Sequence, residues 1–344
     1  MGALLIGSVI VALGWGAVSV GPGQIVAIFL AKAGLAGNGI DAPATFGATF
    51  TTQQLAVVWN IRLPRVLLAV AAGAGLAMAG AAMQSAFRNQ LADPTLLGIS
   101  GAAATGVLLA IVAGVSAVGG GAAAGIAQAV AAVVAAVVVA LWLERFASRH
   151  GRGDVVTIVL AGVALQMLLA AVNTALVFGA RVPGLQGADY WTLGGLGGTL
   201  WIDVAIALPA VVAVAVGLVF IAPRLNLILL GDAEARHLGV NVRLTRLLAL
   251  ALGAGVSGVI VSTCGTLGFI GLVVPYLLRR WLGPDNRRLL PAVALGGAVF
   301  VVLADALARN LIVPMELPLS IITTVVGAPL LFFLIDRGRR VGGS

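Results

Sequence analysis

Long apolar stretches separated by short polar segments cover nearly the whole chain. Runs of about 20 apolar residues recur from one end to the other, and a helix of that length crosses the hydrocarbon core of a bilayer. Roughly ten such spans fit in 344 residues, which leaves only short loops between them. The pattern predicts an all-α integral membrane protein with about ten transmembrane helices in a single domain, residues 1–344.

The polar segments set the expected helix limits. Helix three is predicted to start at Pro94, where a missing amide costs least, and a glycine-broken turn from Gly265 leads into helix eight. Glycines 119–121 divide the apolar run 107–142 into helices three and four. The other predicted helices, in order, are 3–31, 62–87, 155–178, 204–221, 244–262, 289–308 and 319–335. Among the connections, 32–60 is predicted as an external loop, 143–154 as a basic loop, and 181–203 as a glycine-rich segment with a surface helix at Tyr190 and Trp191.

Composition excludes a soluble fold. The chain is 61% hydrophobic and 9% charged, with a mean hydropathy of +1.13, and no globular interior hides so much apolar surface. The first twenty residues lack a basic front end and a clear cleavage site, which favours a membrane helix over a removed signal peptide. Cys264 is the single cysteine, so no internal disulfide forms.

The basic residues indicate topology rather than nucleic-acid binding. The net charge is +8, yet the arginines lie in the short loops between spans. Fifteen of the 20 Lys and Arg residues fall on one side, in segments 84–95, 143–154, 223–246, 279–288 and the C-terminal tail. The positive-inside rule makes this side cytoplasmic and, with ten helices, places both termini there.

Residues 223–246, PRLNLILLGDAEARHLGVNVRLTR, form a charged island in this apolar chain. Glycines divide the island into two short helical pieces with an apolar face, which favours docking of a partner over a plain cytoplasmic loop. A second pattern links its end to an earlier helix, since RLPRVLL at 62 resembles RLTRLLA at 243. Either an inverted repeat of helices two to five and seven to ten or a chance match explains this similarity.

The chain carries no sign of an active site. Lys32 is its only lysine, which excludes a Walker-type phosphate loop, so any ATP is bound by another subunit. His150 and His237 each stand alone in a polar loop and are expected to be solvated. Asp305 and Arg309 are spaced to pair on one helix face. On the predicted external side Arg309 is also expected to join Arg62 and Arg65 in a basic patch for an acidic partner.

Several long motifs, in order along residues 62–336, resemble the FecCD-type permeases of type II ABC importers, a family that imports iron chelates, haem and cobalamin. The matching stretches are RLPR, GAGLAMAGAAMQSAFRNQLADPTLLGIS, LLGDAEARHLGV, GTLGFIGLVVPYLLRR, GPDNRRLLP, ADALAR and ELPLSIITTVVGAPLLFFL. The resemblance implies the type II permease fold in a bacterial inner membrane. It also implies a second copy of the chain, two ATPase subunits and a periplasmic binding protein as partners, besides membrane lipid and without nucleic acid.

The resemblance also implies roles for particular residues. Coupling to the ATPase is implied for Leu230, Gly231, Asp232, Glu234, Ala235, Leu238 and Gly239. Docking of the binding protein is implied for Arg62, Arg65 and Arg309, and a cytoplasmic gate for Asn89 and Leu91. No catalytic residue, metal or cofactor is expected in this chain, with ATP and Mg²⁺ on the partner ATPase.

The function expected from the sequence is therefore ATP-driven import of haem, with cobalamin or a ferric siderophore as the alternatives. A secondary transporter driven by an ion gradient needs carboxylates inside the membrane, and apart from Asp305 the helix interiors offer almost none. A structural membrane scaffold would need no ATPase at all.

Overall fold

The computed structural model describes residues 1–34, 49–115, 121–149, 155–179, 193–312 and 315–341. Within these ranges every regular element is a helix, apart from one bridge between Ile312 and Met315. This confirms the all-α prediction. The helices, numbered in chain order, are α1 Gly2–Gly14, α2 Pro22–Lys32, α3 Thr52–Phe87, α4 Ile99–Val112, α5 Ala122–Arg149, α6 Val155–Gly179, α7 Trp201–Leu230, α8 Asp232–His237, α9 Val242–Cys264, α10 Ile270–Leu282, α11 Asn286–Asn310 and α12 Leu319–Val341.

Six helices in the described ranges are long and apolar enough to cross a membrane, namely α3, α5, α6, α7, α9 and α11. Helices α4 and α10 have 14 and 13 residues. Each is about 20 Å long, which is less than the hydrocarbon core of a bilayer. Each follows a residue with left-handed backbone, Gly98 before α4 and Phe269 before α10. The predicted helices three and eight are therefore shorter than a full span, and Pro94 lies in the turn before α4 rather than at its start.

The predicted first helix, residues 3–31, is wrong, because residues 15–21 interrupt it between α1 and α2. The break contains glycine and ends at a proline, which does not fit a helix interior. A distant side chain stabilises the break, since the Arg62 guanidinium donates hydrogen bonds to main-chain carbonyls there. The acceptors are Leu13 at 2.6 Å, Gly14 at 3.2 Å and Val18 at 2.6 Å.

Helix α3 begins at Thr52, inside the segment that the sequence predicts as an external loop. A capping box explains this start. The Thr51 hydroxyl accepts from the Gln54 amide at 3.1 Å, and the Gln54 side chain accepts from the Thr51 amide at 3.0 Å. A π-helical turn, Val57–Arg62, then leads without a break into the predicted helix two. Of the rest of the predicted loop, residues 35–48 lie outside the described ranges.

Helix α3 is the centre of the fold, with most of its apolar window buried by other helices. Its neighbours approach so closely that only glycine fits at two contacts. A Cβ atom on Gly73 would overlap the backbone of Gly297 in α11, and a Cβ atom on Gly80 would overlap the backbone of Gly271 in α10. The small residues of the sequence therefore serve close helix packing.

Two contacts define the ends of the helix bundle. Arg65, near the start of the predicted helix two, bonds to Asp305, near the end of α11, so these helices run antiparallel. Arg246, in the first turns of α9, bonds to the carbonyl of Ala86 at the end of α3, so α9 is also antiparallel to α3. We call the two ends the Arg65 end and the Arg246 end.

The helix contacts support the predicted inverted repeat. Helices α3 to α6 form one unit and α9 to α12 the other, and each contact has its counterpart when the units are exchanged. Helix α3 packs on α11 as α9 packs on α5, and α3 packs on α10 as α9 packs on α4. Likewise α4 packs on α5 and α6 as α10 packs on α11 and α12. Antiparallel units packed in this reciprocal way are what an inverted repeat produces.

Other predicted boundaries shift because helices continue through polar residues. Helix α5 extends into the predicted basic loop as far as Arg149, and residues 150–154 of that loop lie outside the described ranges. Helix α7 extends to Leu230 and includes Pro223, so the predicted coupling segment begins as helix. The predicted surface helix at Tyr190 and Trp191 and the solvated His150 lie outside the described ranges.

Candidate coupling and docking sites

Residues 223–246 form the end of α7, the short helix α8 and the start of α9. Gly231 separates α7 from α8 with φ 135° and ψ 154°, and the Glu234 carboxylate occupies the place of a Cβ atom there. Gly239 makes the second turn with φ 81°. The Asn241 side chain then accepts from the Leu244 amide at 3.0 Å and caps α9. Glycine at both turns thus allows a six-residue helix between two long ones.

Helix α8 has a buried side and an exposed side. Its buried side is Ala235, which packs in a small apolar core with Ile228, Val240 and Val242. Leu230 and Leu238 flank the helix and are 64% and 59% exposed, and Glu234 is also exposed. The apolar face that the sequence predicts is therefore only partly exposed, because Ala235 packs against the bundle whereas Leu230 and Leu238 are open to a partner.

An ion pair ties α8 to the helix bundle. The Arg246 guanidinium donates to Asp232 at 2.7 Å and to the Ala86 carbonyl at 2.8 Å. About a quarter of each charged side chain of the pair is exposed. Asp232 is thus an internal contact of the coupling segment, whereas Glu234 remains on the exposed side.

The predicted gate residues lie in the turn directly after α3. Arg88 ends α3 in the left-handed conformation with φ 50°. The Asn89 amide donates to the Gln84 carbonyl at 3.0 Å, and the Asn89 side chain accepts from the Leu91 amide at 2.9 Å. Asn89 and Leu91 are both half-buried. The turn is therefore held by hydrogen bonds to its own residues and to α3.

A buried polar cluster at the Arg246 end was not predicted from the sequence. The Asn226 side chain in α7 accepts from the Asn286 main-chain amide at 2.8 Å and from its side chain at 2.9 Å. Asn286 in turn accepts from the Ser85 hydroxyl of α3 at 2.8 Å, and Asn226 donates to Asp285. The sequence does contain one indication of this cluster, because polar residues inside apolar helices usually have specific partners.

The predicted basic patch at the Arg65 end is not a surface patch. Arg62 and Arg65 are buried, with 4% and 6% exposure, and Arg309 is half-buried. Arg309 donates to the carbonyls of Ala12 and Trp15, both at 2.7 Å. The patch prediction is wrong for Arg62 and Arg65, because internal acceptors take up both guanidinium groups.

Asp305 pairs with Arg65 rather than with Arg309 as the sequence predicts. The Arg65 Nη2 atom lies 2.8 Å from Asp305, and its Nη1 atom lies 2.9 Å from Glu316. The side chains of Arg65 and Asp305 are 7% and 3% exposed, against 38% for Glu316. A planar guanidinium serves two carboxylates in this way, whereas the Asp305–Arg309 spacing on α11 remains unused for an ion pair.

The described residues contain no group of three His, Cys, Asp or Glu side chains that could hold a metal ion. His237 lies exposed on α8, and the single cysteine, Cys264, is buried in α9 with its thiol directed at the Ile260 carbonyl.

These features define a class of protein. Apolar helices arranged as an inverted repeat, with a short exposed helix at one end, are typical of a multi-pass membrane transporter. The chain belongs to the FecCD transport family, whose model matches residues 4–337.

Individual relatives agree with this family. The hemin transport system permease protein HmuU of Yersinia pestis is 39% identical over 304 residues, covering 86% of this chain and 88% of the relative. The cobalamin import system permease protein BtuC of Halobacterium salinarum is 40% identical over 300 residues, covering 87% and 78%. A solved structure described as an inward-facing metal-chelate type ABC transporter matches with a TM-score of 0.78 and 26% identity, covering 98% of this chain and 97% of that one.

The family defines the general role of the chain. It is a permease subunit of an ABC importer and has the type II permease fold. Such subunits are not catalytic, and ATP hydrolysis is carried out by a separate ATPase subunit. The chain therefore works in a membrane with ATPase and substrate-binding partners.

Proposed function

We propose that this chain imports haem from the periplasm to the cytoplasm across a bacterial inner membrane. It acts with a second copy of itself, two ATPase subunits and a periplasmic binding protein. The observation that carries the proposal is α8, a short exposed helix fixed to the bundle at the Arg246 end, in a chain that belongs to an ABC permease family.

The Arg246 end is assigned to the cytoplasm. The sequence places fifteen of the 20 basic residues on this side, and the positive-inside rule supports the orientation. Both chain termini then lie in the cytoplasm. ATP and Mg²⁺ bind to the ATPase, and this chain holds no cofactor of its own.

The exposed side of α8 is the proposed contact for the ATPase. Leu230 and Leu238 offer apolar surface and Glu234 a charge, while Gly231, Gly239, Asp232 and Ala235 set the position of the helix. When the two ATPases close on ATP, α8 is displaced, and the movement switches the pathway between outward and inward access. Asn89 and Leu91 close the pathway at the cytoplasmic end.

The second copy is proposed to cover α6. Residues 160–179 of this helix are apolar, yet almost none is buried within a single chain. A second copy packed near this helix would enclose a substrate pathway along the dimer axis. A large chelate with an apolar ring suits such a pathway, because the exposed stretch of α6 is rich in alanine, leucine and valine.

Haem is proposed rather than cobalamin because of the sequence identity and the aligned length shared with the hemin permease. The hemin permease is 39% identical with 88% of its length covered, whereas one cobalamin permease is 40% identical but covered to 78%, and another is covered to 87% but only 36% identical. Cobalamin is the second candidate, because several cobalamin permeases, at 36% to 40% identity, are also relatives.

Docking of the binding protein is proposed at the Arg65 end. Arg309 is the arginine best placed for this contact, because it is half-buried and lies beside Arg62. The charge of Arg65 is balanced by the carboxylates of Asp305 and Glu316, so an acidic partner would be attracted by Arg309, with Arg62 close behind it.

The proposal is tested in proteoliposomes that contain the permease, its ATPase and its binding protein. ATP-dependent uptake is measured for hemin, cyanocobalamin and a ferric siderophore in parallel. Uptake of hemin alone supports the proposal, and uptake of cyanocobalamin alone selects the second candidate. Uptake that needs a proton gradient and no ATPase would overturn the ABC mechanism.

The coupling contact is tested with Glu234→Arg, which changes an exposed charge without touching the ion pair of Asp232. This variant is expected to bind the ATPase more weakly in a pull-down while its thermal unfolding stays unchanged. Asn310→Ala, which removes a hydrogen bond to the Ala306 carbonyl within α11 at the opposite end, is the control. Unchanged ATPase binding and uptake in Glu234→Arg would remove Glu234 from the contact.

A further inference from the structure

The last turn of α3, residues 84–87, lies between the coupling segment and the gate turn. We propose that this α3 C-terminal turn is the junction that transmits movement of α8 to the gate, and that Arg246 and Ser85 are its positioning residues. The inference rests on the proposed function, since it assumes that an ATPase moves α8. It adds a route and residues that the sequence patterns did not indicate.

Arg246 makes the first connection from α8 to the junction. One guanidinium group binds the Asp232 carboxylate in the first turn of α8 at 2.7 Å and the Ala86 carbonyl in the α3 C-terminal turn at 2.8 Å. The two acceptors are thus bridged by a planar, rigid group. Displacement of Asp232 must therefore move Ala86 or break one of these bonds.

Asn226 begins the second connection. It lies in α7 little more than one turn before Gly231 and bonds to Asn286 at 2.8 and 2.9 Å. Asn286 accepts from the Ser85 hydroxyl at 2.8 Å, which brings the path to the α3 C-terminal turn. Helix α7, which precedes α8, and helix α9, which follows it, are thus connected to the same turn of α3 through separate side chains.

The α3 C-terminal turn leads directly to the gate. The Gln84 carbonyl accepts from the Asn89 amide at 3.0 Å, and Asn89 holds the Leu91 amide at 2.9 Å. The Gln84 side chain also donates to the Gly271 carbonyl in α10 at 3.1 Å. One turn of helix therefore contacts both the gate turn and the start of the short helix α10.

Burial makes this junction rigid. Gln84, Ser85 and Asn286 are 1%, 0% and 0% exposed. A buried polar group that loses its partner is costly, so such a network moves as a unit rather than by breaking one bond at a time. Before this turn, α3 is also packed backbone to backbone against α11 at Gly73 and against α10 at Gly80.

The junction is tested by gate accessibility in the complete importer. Leu91→Cys is introduced in a Cys264→Ala background, where it is the only cysteine of this chain, and maleimide labelling is read on the permease band. The labelling rate is measured in the nucleotide-free complex and in the complex trapped with ATP and vanadate. The ratio of these rates is the nucleotide response of the gate.

Ser85→Ala and Arg246→Lys are the test variants. Arg246→Lys keeps the charge but replaces the planar fork, whose Nε and Nη2 atoms bind the two acceptors separately, by a single ammonium nitrogen, so it remains informative if Ser85→Ala fails to assemble. Both are expected to reduce the nucleotide response by about two- to thirtyfold while the complex still hydrolyses ATP. Ser257→Ala is the matched control, because Ser257 is equally buried and bonds only to the Gly253 carbonyl of its own helix.

The outcomes distinguish failure of the junction proposal from failure of the proposed function. Both proposals would be overturned if the wild-type permease bound no ATPase, or if the labelling rate at its gate did not change with nucleotide. A normal response in Arg246→Lys and Ser85→Ala, equal to that of Ser257→Ala, would overturn only the junction. Loss of the response in both test variants but not in the control is the result expected from a transmitting role.

Discussion

The guanidinium of Arg65 in α3 donates hydrogen bonds to the carboxylate of Asp305 in α11, 240 residues later in the chain. The Nε atom lies 3.0 Å from each carboxylate oxygen and the Nη2 atom 2.8 Å from Oδ1. Both side chains are almost completely buried, and Glu316 takes up the remaining Nη1 group. This pair joins the two halves of the inverted repeat at the Arg65 end.

The first prediction concerns this pair. Arg65→Ala is expected to lower the free energy of unfolding by about 3–5 kcal/mol, because it leaves the buried Asp305 carboxylate without its main partner. Thermal unfolding of the detergent-solubilised chain measures the change. The double variant Arg65→Met, Asp305→Leu removes both charges and is expected to recover most of the loss. A double variant no more stable than Arg65→Ala would contradict this account.

The second prediction concerns the break between α1 and α2. Arg62→Met is expected to cost about 1–3 kcal/mol of stability, because the carbonyls of residues 13, 14 and 18 lose their side-chain donor. Arg224→Met changes an exposed arginine on α7 and is expected to stay within about 0.5 kcal/mol of the wild type. Equal unfolding temperatures for the two variants would show that the break is stable without Arg62.

Local patterns predicted the long helices well. Apolar runs bounded by polar residues define α6, α9, α11 and the start of α12 to within a few residues. The same patterns failed at residues 3–31, where hydropathy is continuous but glycine and proline interrupt the helix. The contact that completes this break comes from Arg62, far away in the chain, and no local pattern contains that information.

The coupling segment and the arginines at the Arg65 end also show that local patterns do not predict contacts between distant residues. The position of α8 was predictable, since two glycines and a charged run mark it. The partner of Asp305 was not, because spacing on one helix favoured Arg309 whereas the fold brings Arg65 closer. Whether a charged residue faces water or a buried partner depends on tertiary packing, so the sequence predicted an exposed patch where the protein has a buried network.

The third prediction concerns pH. The Asp285 pKa is lowered, first by the Arg287 amide and then by the Asn226 side chain, which both donate to its carboxylate. A lowered pKa in the folded state stabilises the protein above the unfolded pKa of about 3.9, and this contribution is lost as the pH falls through the folded pKa. The difference in unfolding temperature between wild type and Asp285→Asn is therefore expected to shrink at acidic pH. A difference independent of pH would assign the contribution to hydrogen bonding alone.

The fourth prediction concerns the glycine contact at the centre of the bundle. Gly73 in α3 and Gly297 in α11 face each other so closely that a Cβ atom on either residue would overlap the backbone of the other helix. Neither backbone can move away as a flexible side chain would, since α3 is also fixed by Gly80 against Gly271. Gly73→Ala is therefore expected to destabilise the chain by about 1–3 kcal/mol through overpacking.

Gly255→Ala is the matched control for Gly73→Ala. Gly255 lies inside α9, and a Cβ atom there would meet no other atom within 4 Å. Alanine has the higher helix propensity, so this variant is expected to be neutral or more stable by up to about 1 kcal/mol. Opposite signs for the two substitutions would show that close approach of the backbones, rather than glycine content, holds the two halves together. Equal effects would mean that the α3–α11 contact relaxes to accept a methyl group.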